Sequence, residues 1–361
     1  VSPADPRPST GRSSAATTAQ DDRGARRAHR TRPQTAFLLV AGVSVAAVVA
    51  LVYLLLSADA ELPTTAGTTA RLPPATLRRA RLIGTVPAGR SPNDVVVTKD
   101  VVWVSSSQDP DLTRIPTAQP TTSSRVDVGI GVQSLATGFG TLWVAKGKTH
   151  SLLRLDLATG AKRGAGFALP DGLPVAVGTG QGGVWVGLRG RPGAVVRLNP
   201  RTGAVDRTVT LPRGVQDMAV GEGYVWVVNR QGRAVTRIDP DTLKTKRIPV
   251  GTAPKGIAVG EGFVWVCISS AGYVQQIDPR RARKQGSFRT GDTPVAVDVG
   301  GGSLWVSNRL GGSVTRISTD PARPRTTTTV GGLTNPFAIA ARGGDVWVTD
   351  PGKPDVAHLG F

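Results

Sequence analysis

The 361-residue chain holds one cysteine, three histidines and, beyond residue 61, only two glutamates, Glu222 and Glu261. A lone cysteine forbids an intrachain disulfide, so no covalent staple defines this fold. Cys267 lies two residues after a tryptophan, in a slot that elsewhere holds Ser105, Ala145, Gly187, Val228, Ser307 and Thr349. It reads as a small buried filler and not as a nucleophile. Scarce His and Glu leave few groups for acid–base or metal chemistry. No Cys-x-x-Cys, His-Glu-x-x-His, phosphate-binding loop or nucleophile elbow occurs either. No cofactor is expected.

Tryptophan supplies the order that these motifs do not. The seven Trp residues stand at 103, 143, 185, 226, 265, 305 and 347, with gaps of 40, 42, 41, 39, 40 and 42 residues. Each follows an apolar residue and precedes Val, and in six of seven a glycine lies two to four residues upstream. The stretch GEGYVWVVNRQGRAVTRIDPDT (221–242) is nearly rewritten as GEGFVWVCISSAGYVQQIDPRR (260–281). Repetition at this period marks a unit that cannot bury its apolar face alone.

Each unit reads as four short strands. An apolar segment such as GIAVG (256–260) meets a Gly-rich turn, then the Trp strand. A third strand such as VTRID (235–239) follows, then an Asp-Pro or Asn-Pro turn and a fourth strand such as KRIPVG (246–251). Short alternating runs with turn signals every eight to twelve residues belong to an all-β fold. Glycine permits positive φ in the turn before each Trp, and Asp or Asn can cap the amides of the later turn. Four strands per ~40 residues predict a propeller blade, and no 3.6-residue apolar period in the units favours a helical repeat. The last unit stops at its third strand, VAHLGF (356–361), while RLIGTVPAG (81–89) matches a fourth. A seven-bladed β-propeller over 81–361, closed by its N-terminal strand, is the expectation; closure removes an open sheet edge.

The pattern VWVVN…VTRIDP…IPVGTAPKGIAVGEG resembles the YVTN/YncE-like and NHL-like β-propellers, with streptogramin B lyase among their relatives. The resemblance covers residues 81–361 and implies the seven-bladed fold. It implies little about activity, because such repeats serve many functions. The His/Glu pair expected of the lyase has no counterpart here.

Ahead of the repeats, residues 1–35 are rich in Ser, Thr, Pro and Ala, with seven Arg against three Asp. They read as a disordered basic tail. Residues 36–56, AFLLVAGVSVAAVVALVYLLL, carry no charge. At ~1.5 Å per residue they reach ~30 Å, the thickness of a bilayer core. Arginines crowd the N-terminal flank and Asp59 and Glu61 follow the C-terminal one. This predicts a single transmembrane helix with a cytoplasmic tail and an extracytoplasmic propeller. A cleaved signal peptide is the alternative, though its apolar core is usually shorter. No cysteine directly follows the segment, which excludes a lipoprotein. Residues 57–80 read as a flexible stalk. The order tail, anchor, propeller resembles receptor-type Ser/Thr kinases, but residues 1–35 hold no nucleotide loop. The sequence begins with Val, which leaves a longer parent chain open.

The net charge is +19, little of it from the tail. Loops after the Trp strands carry Lys146, Lys148, Arg189, Arg191, Arg230, Arg233, Arg309 and Lys353; loops entering the first strands carry Arg90, Arg213 and Lys255. Both sets share one propeller face, which is expected to attract anions. Solvated charge from biased Arg usage explains the same count. Arg114, Arg154, Arg197, Arg237 and Arg316 recur at one third-strand position and read as structural. Nucleic acid is disfavoured by the predicted location and by the shortage of stacking aromatics, Tyr273 and Phe337 alone. An anionic wall polymer or a protein ligand suits the face better.

Candidate site residues lie nine or ten positions before each Trp, at the mouth of the central channel. The polar ones are Asn93, Asp94, Gln133, Gln216, Asp217 and Lys255. Asn229-Arg230 and Asn308-Arg309, just past Trp strands, are expected to border the same funnel; channel water alone is the bland alternative. His150 is the one catalytic candidate and reads first as a surface residue. The expectation is a membrane-anchored binding, sensor or scaffold module. The alternative is a metal-dependent lyase or lactone hydrolase, which would need Asp94, Asp217 or His150 to converge on an ion. The oligomeric state is left open.

Overall fold

The computed structural model describes residues 79–212, 214–320 and 327–360. The expected tail (1–35), transmembrane helix (36–56) and nearly all of the stalk (57–80) lie outside the described residues.

Among the described residues, twenty-eight strands form seven four-stranded antiparallel sheets. In blades 1 to 6 the sheet order follows the chain, so each blade is a simple meander. Blade 4, for example, runs Asp217–Gly221, Tyr224–Asn229, Ala234–Ile238 and Thr245–Pro249. Blade 7 differs: Ile339–Arg342, Asp345–Thr349 and Asp355–Gly360 are completed by Arg81–Pro87. The closing register runs from Arg81 opposite Gly360 to Pro87 opposite Asp355, with one shift between Leu82 and Gly84. The ring is shut by its own N-terminal strand.

The turns follow from residue chemistry. Phe139-Gly140, Gln181-Gly182, Glu222-Gly223 and Glu261-Gly262 are two-residue connections with both φ values positive. That is the hairpin turn whose twist matches the strands, with glycine at its second position. Blade 1 has no glycine there and makes a longer turn. In it the Thr98 hydroxyl accepts the amides of Asp100 and Val101. On the later turn, Asp156 accepts amides of Ala158 and Thr159, Asn199 those of Arg201 and Thr202, and Asp239 those of Asp241 and Thr242.

The core lies between blades. Every Trp is buried and packs with the second strand of the next blade. Trp103 meets Leu142 and Val144; Trp226 meets Val264 and Val266; Trp347 closes the circle on Val102 and Val104 of blade 1. Burying a Trp removes roughly 150–250 Å² from water, worth about 4–6 kcal/mol before entropy is counted. A blade with its Trp side bare would forfeit this. The array therefore needs its neighbours.

The recurrent third-strand residue sits directly opposite Trp: Arg114 on Trp103, Arg154 on Trp143, Arg197 on Trp185, Arg237 on Trp226 and Arg316 on Trp305. Three of these guanidinium groups reach across to a turn carbonyl of the next blade. Arg114 donates to Ala158 at 2.6 Å, Arg154 to Arg201 at 2.9 Å and Arg237 to Pro279 at 2.9 Å. In blade 7 the place is taken by His358. Its ring stacks on Trp347 at 4.2 Å and its Nε2 lies 3.0 Å from Asp345 Oδ1.

Candidate functional site

Two sets of loops share one face of the propeller: those entering each first strand and those after each Trp strand. The first strands of all seven blades surround a cavity of about 630 Å³ opening toward that face. Asn93, Asp94, Gln133, Gln216, Asp217 and Lys255 line it, as do Arg189 and Phe337 at the rim. Asn229, Arg230, Asn308 and Arg309 are not among its lining residues.

The two asparagines are buried inside their blades. Asn229 Oδ1 accepts the Thr236 hydroxyl at 2.6 Å. Asn308 Oδ1 accepts the Gly291 amide at 3.0 Å, and its Nδ2 donates to Thr315 Oγ1 at 2.8 Å. Both tie the end of the Trp strand to the third strand and to the loop entering the first strand. The next residue in the chain points outward: Arg230 is exposed, and Arg309 donates to Asn335 Oδ1 at 2.7 Å with its guanidinium 5.9 Å from the Phe337 ring.

The carboxyls have a structural duty. Asp94 accepts the amide of its neighbour Val95 and, with its second oxygen, the amide of Leu135 in blade 2. Asp217 does the same with Met218 and with Ile257 in blade 5. Ser134 accepts the Val177 amide of blade 3 at the equivalent place. One repeated position thus stitches the first strand of a blade to the next. A third carboxyl lies outside that repeated polar position. Asp298 stands where other blades have Val96, Ala136, Gly178, Ala219, Ala258 and Ala340, and it accepts the Ala341 amide of blade 7. Its signal is an Asp in the otherwise apolar strand VAVDVG. Burial pushes all three carboxyls up, Asp94 and Asp298 to about 6 and Asp217 to about 7; the Asp94 charge adds to the effect on Asp217.

The cations behave differently. Lys255 is half-buried and makes no hydrogen bond or ion pair with its side chain among the described residues. Burial, then Arg230 and Arg309, push its ammonium down. A second pocket of about 460 Å³ opens beside the mouth, lined by Arg189, Arg191, Arg230, Gln216 and neighbouring glycines and Val215. It shares Arg189 and Gln216 with the central cavity, and no carboxylate lines it among the described residues. Arg90, by contrast, is paired with Asp109 at 2.8 Å. Arg189, Arg191, Arg230, Lys255 and Arg309, over blades 3 to 6, form no ion pair among the described residues, and neither do Lys148 of blade 2 and Lys353 of blade 7.

No protein-family model matches the sequence, and no curated protein matches it. Similar solved structures include streptogramin B lyase, with 18% identity, 76% of this chain and 94% of that chain covered, and a TM-score of 0.64. Virginiamycin B lyase from Staphylococcus aureus follows with 16% identity, 75% and 95% coverage and a TM-score of 0.65. The WD40 domain of Neurospora crassa Pan2 shares 11% identity, with 78% and 95% coverage and a TM-score of 0.63. The chain is a seven-bladed propeller of streptogramin B lyase-like fold. At these identities the likeness is one of fold.

The lyase alternative asks for a shared ion. No group of three or more His, Cys, Asp or Glu side chains suited to a metal occurs among the described residues. His150 is exposed on a hairpin turn. The oxygens of Asp94 and Asp217 already accept backbone amides. Cys267 is buried and its thiol is pushed up by that burial, so it is held protonated. Among the described residues no acid–base pair is gathered around a metal position.

Proposed function

We propose that the chain is a membrane-anchored, extracytoplasmic recognition module that binds an anionic ligand at the propeller mouth, without chemistry. The observation that carries this reading is the cavity itself. All seven blades contribute to it, and beside its mouth Arg189, Arg191, Arg230, Lys255 and Arg309 form no ion pair among the described residues. Clefts lined by one sign of charge raise the local concentration of oppositely charged partners. The anchor rests on the uncharged run 36–56 and its arginine-rich flank.

The test is a melting curve of the full-length protein in neutral detergent, with and without an anionic polymer. A ligand at one hundred times its dissociation constant adds about 2.7 kcal/mol. The upward shift should fade between low and high salt, because screened charges lose most of their attraction beyond ~8–10 Å. A neutral polymer that shifts the curve equally would remove the electrostatic basis of the reading. Addition of EDTA should leave the curve unchanged; an EDTA-sensitive melt that Asp94→Ala or Asp217→Ala abolishes would favour the metal-dependent enzyme instead.

A further inference from the structure

The side pocket and the channel rim form one cationic arc. Arg189 ends the Trp strand of blade 3 and Arg191 follows it, Arg230 follows that of blade 4, Lys255 is the second residue of the first strand of blade 5, and Arg309 follows the Trp strand of blade 6. The two cavities are joined through Arg189 and Gln216. We infer that this arc binds a polymer of phosphate esters on a polyol backbone, one phosphate in the side pocket and a further one at Lys255 and Arg309. The inference rests on the recognition reading above and names its ligand class.

Three features select this chemistry. First, three guanidinium groups line one small pocket. A carboxylate's two oxygens lie in the plane of its carbon, whereas the two charged oxygens of a phosphodiester stand on a tetrahedral phosphorus beside two weaker ester acceptors and can take guanidinium forks from more than one direction. Second, the anion-binding points lie on successive blades, so one ligand that meets them all must repeat its charge. Linking the contacts makes each later one intramolecular and raises overall affinity far above that of a single phosphate. Third, the polar groups that share the channel mouth with these cations, set among apolar residues such as Val175, Val295 and Ala296, are chiefly amides and carboxyls. Gln133 and Gln216 can hydrogen-bond hydroxyls, while Asp94, Asp217 and Asp298 repel anions from the channel interior. The polymer therefore lies across the mouth and does not thread down it. A nucleic acid would want aromatic platforms beside the cations, and Phe337 is the one aromatic lining either cavity.

The experiment is calorimetric titration of the full-length protein in neutral detergent. Poly(glycerol phosphate), glycerol 3-phosphate, polyglutamate and a single-stranded oligonucleotide of matched charge are compared. The polymer of glycerol phosphate should bind at least a hundredfold tighter than the monomer. Arg191→Gln and Lys255→Gln should each weaken it at least tenfold. Arg207→Gln, an equal loss of charge on an exposed outer strand, should change it less than twofold, and Lys255→Arg should retain binding. Melting curves of each variant confirm that it folds. Polyglutamate or the oligonucleotide binding as tightly as poly(glycerol phosphate) overturns the phosphate-polyol assignment and leaves the recognition reading standing. Equal losses from Arg191→Gln, Lys255→Gln and Arg207→Gln overturn the arc. Binding of no anionic polymer at all overturns both.

Discussion

Asp94, Asp217 and Asp298 are held above the usual carboxylate range by burial in the channel wall, and the sign of the consequence is fixed. Their unfolded value is about 3.9, so the folded chain keeps protons that the unfolded chain releases. That contribution to stability is complete below about pH 4 and is lost as pH rises through 6 and 7. Asp109 and Asp206 run the other way. Hydrogen bonds from Arg90 and from Arg197 hold them low, so their contribution is present above about pH 4 and lost on further acidification. The melting temperature should therefore peak near pH 5 and fall by several degrees toward pH 8. Scanning calorimetry checks it, and Asp217→Asn should flatten the alkaline side. A melting temperature that climbs steadily from pH 5 to 8 would contradict the assignment. Asn308 offers a simpler case. Asn308→Ala leaves the half-buried Gly291 amide and the buried Thr315 hydroxyl without this partner, a loss of about 1–3 kcal/mol by denaturant titration. Asn308 and Arg309 also show where sequence stops being informative. Adjacent residues just past a strand diverge, one into the blade and one out of it, and only the packing decides which.

At the scale of elements, the period of Trp was enough to count blades, because each Trp buries against its neighbour and must recur with the strand spacing. The Gly at the second turn position and the Asp, Asn and Thr of the later turns were legible for the same reason: each satisfies a local backbone demand. The stitches between first strands were not legible. They join residues about forty positions apart, and an Asp at the channel looks the same whether it awaits a ligand or holds an amide. Asp298 shows the cost, since it does the same work from a different register. Closure gives the sharpest test of an element. A chain starting at Arg79 should melt as the longer protein does. A chain starting at Ala88 lacks Arg81–Pro87, exposes the edge of Asp355–Gly360, and should associate or precipitate. Light scattering distinguishes the two. An unassociated, normally melting Ala88 chain would mean that the strand is dispensable.

For the whole molecule, the charge is unevenly used. Part of the +19 holds blades together through Arg114, Arg154 and Arg237, and these should tolerate salt poorly only in stability, not in binding. The loop cations should show the reverse. The propeller mouth also lies opposite the point where the chain enters. Arg81, at the start of the closing strand, pairs with Gly360 beside the turn of the far face, while Pro87 and Ala88 meet Asp355 and Pro354 on the mouth side. Tension between the preceding eighty residues and a ligand held at the mouth would run along this strand. It would load the ladder to Asp355–Gly360 in shear, where all the rungs share the force, instead of peeling them one by one. The strand that closes the ring would then also be the one through which such a force enters it.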